Sequence, residues 1–135
     1  MKRRVLIFDD DKDILSICSF IIKAAGYEVI TESSCHDLLE KVDRARPDII
    51  MMDNKIPNEG GISSTLLLKS TPEYCQIPVV FFSANSDVKA LAASAKADLY
   101  IEKPFDADLL IAVVRQAVEL AENQNGLGQP LLDKR

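Results

Sequence analysis

Residues 48–61, DIIMMDNKIPNEGG, set four apolar side chains in a row, then Asp53, then a turn-forming segment holding Pro57, Gly60 and Gly61. An unbroken apolar run this short, closed by proline and glycine, reads as a strand buried on both faces. A carboxylate at its end is costly unless it faces water or finds a partner. The reading of the chain turns on what surrounds Asp53.

Similar runs occur on either side. Residues 5–8 are apolar and stop at Asp9, Asp10 and Asp11, and Pro78 opens a second fully apolar run at 79–82. Weaker strands are predicted at 27–31, which contains Glu28, and at 99–101. Helical spacing falls between them. Ile14, Ile17, Cys18, Ile21 and Ala25 predict a first helix ending at Gly26, and Ser34 with Asp37 forms a capping-box pattern before Leu38, Leu39 and Val42. A short helix is expected at 62–69, and an Ala-rich one from an N-cap at Ser86 to Ala95. A last helix is capped by Asp106 and striped by Leu110, Val113, Val114, Ala117, Val118 and Ala121. Leu109, Ile111 and Leu120 lie beside that stripe and leave apolar surface for a partner or dimer contact. Strand and helix thus alternate five times, the pattern of a doubly wound α/β sandwich with right-handed crossovers and a parallel sheet.

At 135 residues, 47% apolar and 27% charged, the chain has the size and composition of one globular domain. Residues 1–121 carry the pattern; 122–135, which lose it, read as a flexible tail or linker stub. A net charge of −5 argues against a nucleic-acid partner, and the one basic cluster, Lys2, Arg3 and Arg4, is expected to be solubilising. No run approaches the roughly 18 apolar residues of a membrane span, and the apolar run after the basic start is too short for a secretory signal. Cys18, Cys35 and Cys75 have neither disulfide arithmetic nor zinc-like spacing, so a reducing, cytoplasmic setting is expected.

In an open parallel sheet, ligands bind beyond the carboxyl ends of the strands, where strand order reverses. Four of the five predicted strands deliver a functional group there: Asp9–Asp10, Asp53, Ser83 and Lys103. Carboxylates about 4 Å apart repel by about 4 kcal/mol at an effective dielectric near 20, so a cation is needed among them. Oxygen ligands without Cys or His suit Mg²⁺, with Mn²⁺ able to substitute. Cation, ammonium and hydroxyl around a carboxylate make a receptor for a phosphoryl group, and Asp can itself accept one. Each residue also has a plainer role: the acids can cap the first helix, Lys103 can be a solvated charge, and Tyr100 a half-buried strand aromatic. Asp11 and Asp13 are assigned to capping and solvated charge, Met51 and Met52 to the core, and His36 to the surface.

Asp9–Asp10 after strand one, Asp53 followed by Pro57 and Gly61, Ser83–Ala84 after strand four, and Tyr100 three residues before Lys103–Pro104–Phe105 resemble the receiver domain of two-component response regulators. The resemblance covers about residues 3 to 121. It implies a flavodoxin-like sheet of order 2-1-3-4-5 and a signalling switch that catalyses only its own phosphotransfer and slow autodephosphorylation. Asp53 would be the phosphoacceptor, served by a histidine kinase or histidine phosphotransfer protein. Asp10 would ligate Mg²⁺ directly, Asp9 would hold a metal-bound water, and Asp53 with the backbone carbonyl of Lys55 would complete the protein ligands. Lys103 would pair with phosphoryl oxygens, Ser83 would move to bond one, and Tyr100 would turn inward behind it. The Lys103–Pro104 bond would be cis. Helix four, strand five and helix five would then meet an output protein, with the receiver a monomer or weak homodimer. Lys96, where the family often has Gly, and Lys55 and Asn85, two residues beyond Asp53 and Ser83, depart from or vary within the pattern. Two alternatives stand beside it. One is a haloacid-dehalogenase-type phosphatase, although Asp13 stands where its motif needs Thr or Val; the other is a receiver-like scaffold that is never phosphorylated.

Overall fold

A computed structural model describes residues 2–58 and 60–127. Five strands, β1 (Arg4–Phe8), β2 (Glu28–Glu32), β3 (Ile49–Asp53), β4 (Val79–Ser83) and β5 (Leu99–Glu102), form one parallel sheet in the order β2-β1-β3-β4-β5. Helices α1 (Lys12–Ala24), α2 (Leu38–Ala45), α3 (Gly60–Ser70), α4 (Val88–Ala95) and α5 (Ala107–Leu127) alternate with them. Fold class and strand order are those expected from the sequence and its resemblance.

Alternate residues of the central strands enter opposite cores, so a strand covered on both sides must be apolar throughout. Ile7, Met51, Val80, Phe82 and Ile101 pack with Leu15, Cys18 and Ile22 of α1 and Leu110, Val114 and Ala117 of α5. Leu6, Phe8, Ile50, Met52 and Val79 pack with Leu38 and Val42 of α2 and Leu68 of α3. Phe81 meets Val88, Ala92 and Ala95 of α4. Every residue of β3 and β4 is buried, Asp53 and Ser83 included.

The structure corrects four local expectations. Helix α1 turns Leu15, Cys18 and Ile22 to the sheet, with Ile14 and Ile21 flanking; Ile17 is 54% exposed and Phe20 77%. The helix has more apolar residues than one face can bury, and the sheet contact selects the phase. The Ser34 capping box does not form: α2 starts at Leu38, after Asp37 at φ +54° with no side-chain cap. Buried Cys35, whose N–H donates to the Pro57 carbonyl, holds the chain in a loop there, and the Ser34 hydroxyl accepts from Lys41 Nζ. Likewise α4 starts at Val88 rather than after Ser86, because Asn85 Oδ1 takes the Asp87 N–H at 2.8 Å and makes the turn. At the other end, α5 continues past Ala121 through Leu127; the rest of the expected tail, 128–135, lies outside the described residues.

Other expectations hold. Asp11 caps α1 by accepting from the Asp13 and Ile14 N–H groups, and Asp106 Oδ1 accepts from the Leu109 N–H at 2.8 Å. His36 is at the surface beside Asp37. Arg3 and Arg4, expected only to be solubilising, instead make ion pairs, Arg3 with Asp48 and Glu122 and Arg4 with Glu28. Among the described residues, no helix is long and apolar enough to cross a membrane.

Candidate functional site

Parallel pairing sets Ile7 beside Met51 and Phe8 beside Met52, so the next residues, Asp9 and Asp53, leave β1 and β3 as neighbours at the carboxyl rim. Asp9 is 1% exposed and Asp53 6%. Asp10, one residue on, is exposed, yet one carboxylate oxygen from each of the three lies within 4.8 Å of the others. The acids predicted to converge do so.

Lys103 reaches the cluster from the segment after β5. Its Nζ donates to Asp9 Oδ2 at 2.8 Å and to Asp53 Oδ1 at 2.9 Å. The other Asp9 oxygen, Oδ1, accepts the Asp11 N–H at 2.9 Å. Burial pushes the Asp53 carboxyl above its ordinary value of 3.8; the Lys103 hydrogen bond pulls it back, Asp9 pushes it further up, and the Lys103 charge and the Lys55 amide pull it down. For Lys103, burial favours the neutral amine, but the bonds and charges of Asp9 and Asp53 outweigh it and raise the ammonium above 10.5. The raised Lys103 therefore stays an ammonium in contact with both carboxylates. The Lys103–Pro104 peptide is cis, as expected.

Ser83 closes β4 at the same rim. It is buried, and its hydroxyl oxygen accepts the Asn85 N–H at 3.0 Å, which leaves its proton free to be donated elsewhere. Asp9, Asp10, Asp11, Asp53, Lys55, Ser83, Ala84, Asn85 and Lys103 line one open cavity of about 390 Å³. Tyr100 stands apart from it on β5, 44% exposed, paired in register with Phe81. The donor set fits a hard divalent cation: carboxylates only, two buried and one exposed, with negative charge beyond what Lys103 neutralises.

Two further contributors, Gly61 and Phe82, take their roles only from the tertiary structure. Gly61 presses α3 against the end of β3: a Cβ there would sit 2.3 Å from the Asp53 carbonyl oxygen, and its N–H donates to the Asn54 carbonyl at 2.9 Å. The need for a bare backbone at that point cannot be read from one glycine in a turn. Phe82 is the other, with its ring centroid 4.6 Å from Lys103 Nζ. Within an apolar run nothing distinguishes it from its neighbours.

Known proteins share both the fold and the sequence pattern. The family profile of the response regulator receiver domain matches residues 5–115. The transcriptional regulatory protein KdpE of Mycobacterium tuberculosis is 32% identical over 131 residues, covering 96% of this chain and 57% of the relative. The CAI-1 autoinducer sensor kinase/phosphatase CqsS of Vibrio cholerae is 29% identical over 113 residues, covering 82% of this chain and 16% of the relative. The chain thus spans little more than half, or far less, of the curated relatives it matches. Among solved structures, the receiver domain of NtrX from Brucella abortus superposes with a TM-score of 0.77 at 28% identity, covering 85% of this chain and 98% of that one. The chemotaxis response regulator CheY4 of Vibrio cholerae gives 0.80 at 24% identity, covering 87% and 99%, a likeness of fold.

Proposed function

This chain belongs to the response regulator receiver domain family of signalling switches, and from that premise we propose that Asp53 accepts a phosphoryl group from a phosphohistidine of a partner kinase or phosphotransfer protein. The observation that carries this reading is the convergence of Asp9, Asp10, Asp53, Ser83 and Lys103 on one open cavity, with Asp53 bound directly to the Lys103 ammonium.

In the proposed reaction a carboxylate oxygen of Asp53 attacks phosphorus in line with the P–N bond to histidine. A P–O bond forms, the P–N bond breaks, and its electron pair stays on the leaving imidazole nitrogen, which takes a proton. Lys103 Nζ, already on Asp53, stabilises charge on the transferring oxygens and holds the carboxylate in place. Asp10, Asp9, Asp53 and the Lys55 carbonyl would hold Mg²⁺, which when bound supplies positive charge to offset that of the phosphoryl oxygens. The all-carboxylate cluster supports that assignment.

The acyl phosphate carries more charge and more acceptors than the carboxylate. The free Ser83 proton is the donor placed to answer it, and movement of Ser83 would release Tyr100, now half out in solvent, to turn inward. The face of α4, β5 and α5 would then read the switch to an output protein.

The test is incubation with acetyl phosphate, with and without Mg²⁺, followed by peptide mass spectrometry. Mg²⁺-dependent labelling of Asp53, absent from Asp53→Ala, is expected. Equal labelling of the Ala variant would overturn the assignment.

A further inference from the structure

Paired residues of a parallel sheet share a face, and the register sets Asp53 beside Phe82, and Phe82 beside Ile101. Lys103 follows Ile101 by two residues. To reach Asp53 and Asp9 its side chain must cross back over the end of β4, and the side chain waiting there is Phe82. The ring is fully buried and faces the same core as Met51, Ile7 and Ile101. The ammonium lies over it with 4.6 Å to the centroid, inside the range in which an aromatic face attracts a cation.

Three contacts therefore define the position of Lys103 Nζ: two carboxylates beside it and an aromatic face. The carboxylate contacts cannot hold it throughout the proposed reaction. Asp53 loses charge on the oxygen that bonds phosphorus, and the carboxylates are also the candidate cation ligands. The Phe82 face is unaltered by either event. It is also dry, since a buried ring presents no water to compete, and desolvation strengthens the attraction.

We propose that Phe82 is a positioning residue for phosphoryl transfer: its ring face holds the Lys103 ammonium over Asp53 when the carboxylates are engaged elsewhere. An aliphatic residue of similar size would fill the core equally well but would not attract the cation. The inference rests on the phosphoacceptor reading above.

The experiment replaces Phe82 by phenylalanines carrying one and then three ring fluorines, which weaken the negative face at nearly constant shape, and adds Phe82→Leu. Phosphorylation by acetyl phosphate with Mg²⁺ is timed for each variant of the 135-residue chain. The expected result is a stepwise fall with fluorine number, and a loss of about three- to thirty-fold in the Leu variant. In the cation-free wild type, ring-current upfield shifts of the Lys103 Cε protons, lost in Phe82→Leu, report the contact without any reaction. Rates that stay flat across the fluorinated series overturn the proposal, even if Phe82→Leu is slow or fails to fold, because packing alone is then sufficient. Absent ring-current shifts overturn it as well. A wild type that is never labelled at Asp53 overturns the receiver chemistry itself, a result distinct from a labelled wild type with an indifferent ring.

Discussion

Lys103 Nζ stands 2.9 Å from Asp53 Oδ1, joining residues 50 positions apart at the rim of the sheet. That bond does not fully offset the burial of the carboxylate, whose pKa is raised, with burial the largest cause. An acid whose folded-state pKa lies above its unfolded value is penalised as pH rises from the unfolded pKa through the folded one, and carries the full penalty above both. Asp53→Asn, whose carbonyl can still accept from Lys103, is therefore expected to make the Mg²⁺-free protein more stable at neutral pH. The gain should disappear as pH falls below the ordinary Asp value of 3.8. Urea titrations of both proteins across pH 3 to 8 test this; a gain that grows towards acid would refute it.

Gly61 has no room for a side chain. A Cβ added there would lie 2.3 Å from the Asp53 carbonyl oxygen and 2.9 Å from Asn54 Cα, so the obstacle is backbone and cannot rotate away. Gly61→Ala should lose about 2–3 kcal/mol, the upper range for overpacking, and should slow labelling of Asp53 by displacing the end of β3. Chemical denaturation and the acetyl phosphate assay read the two effects separately. A variant as stable as the wild type would mean that α3 can move freely from β3.

Lys96 follows α4 with φ +61°, and its N–H bonds the Ala93 carbonyl, so the turn keeps the left-handed form despite the lysine. A side chain there costs about 1–2 kcal/mol, part of which glycine would give back through its freer unfolded chain. Lys96→Gly is expected to gain about 0.5–1 kcal/mol. Thermal unfolding decides, and a loss of stability would show that the lysine makes a compensating contact.

Helix α4 spans 8 residues, buries only Val88, Ala92 and Ala95, and has no side-chain bond at its N-cap; α1 spans 13, buries larger residues and is capped by Asp11. Amide hydrogen exchange should therefore be faster in α4 than in α1. Equal protection in the two helices would contradict the packing difference.

The order and type of the elements were determined by sequence alone, because they follow from local patterns: unbroken apolar runs for strands covered on both faces, and punctuation by Pro57, Pro78, Gly26 and Gly60. Given that order, the fold rule for parallel sheets also brought Asp9, Asp10, Asp53, Ser83 and Lys103 to one rim. Tertiary structure decided the rest. The phase of α1 depends on which of its apolar sides the sheet accepts, so Ile17 and Phe20 are outside while Leu15 and Ile22 are inside. The starts of α2 and α4 depend on bonds from Cys35 and Asn85 that compete with the expected caps at Ser34 and Ser86. The placement of Lys103 between Asp9 and Asp53, above Phe82, requires strand register, which relates residues distant in sequence and leaves no mark on local periodicity. Asp53 could be seen at the end of its strand in the sequence; the atoms that hold it ready could be seen only once the strands were paired.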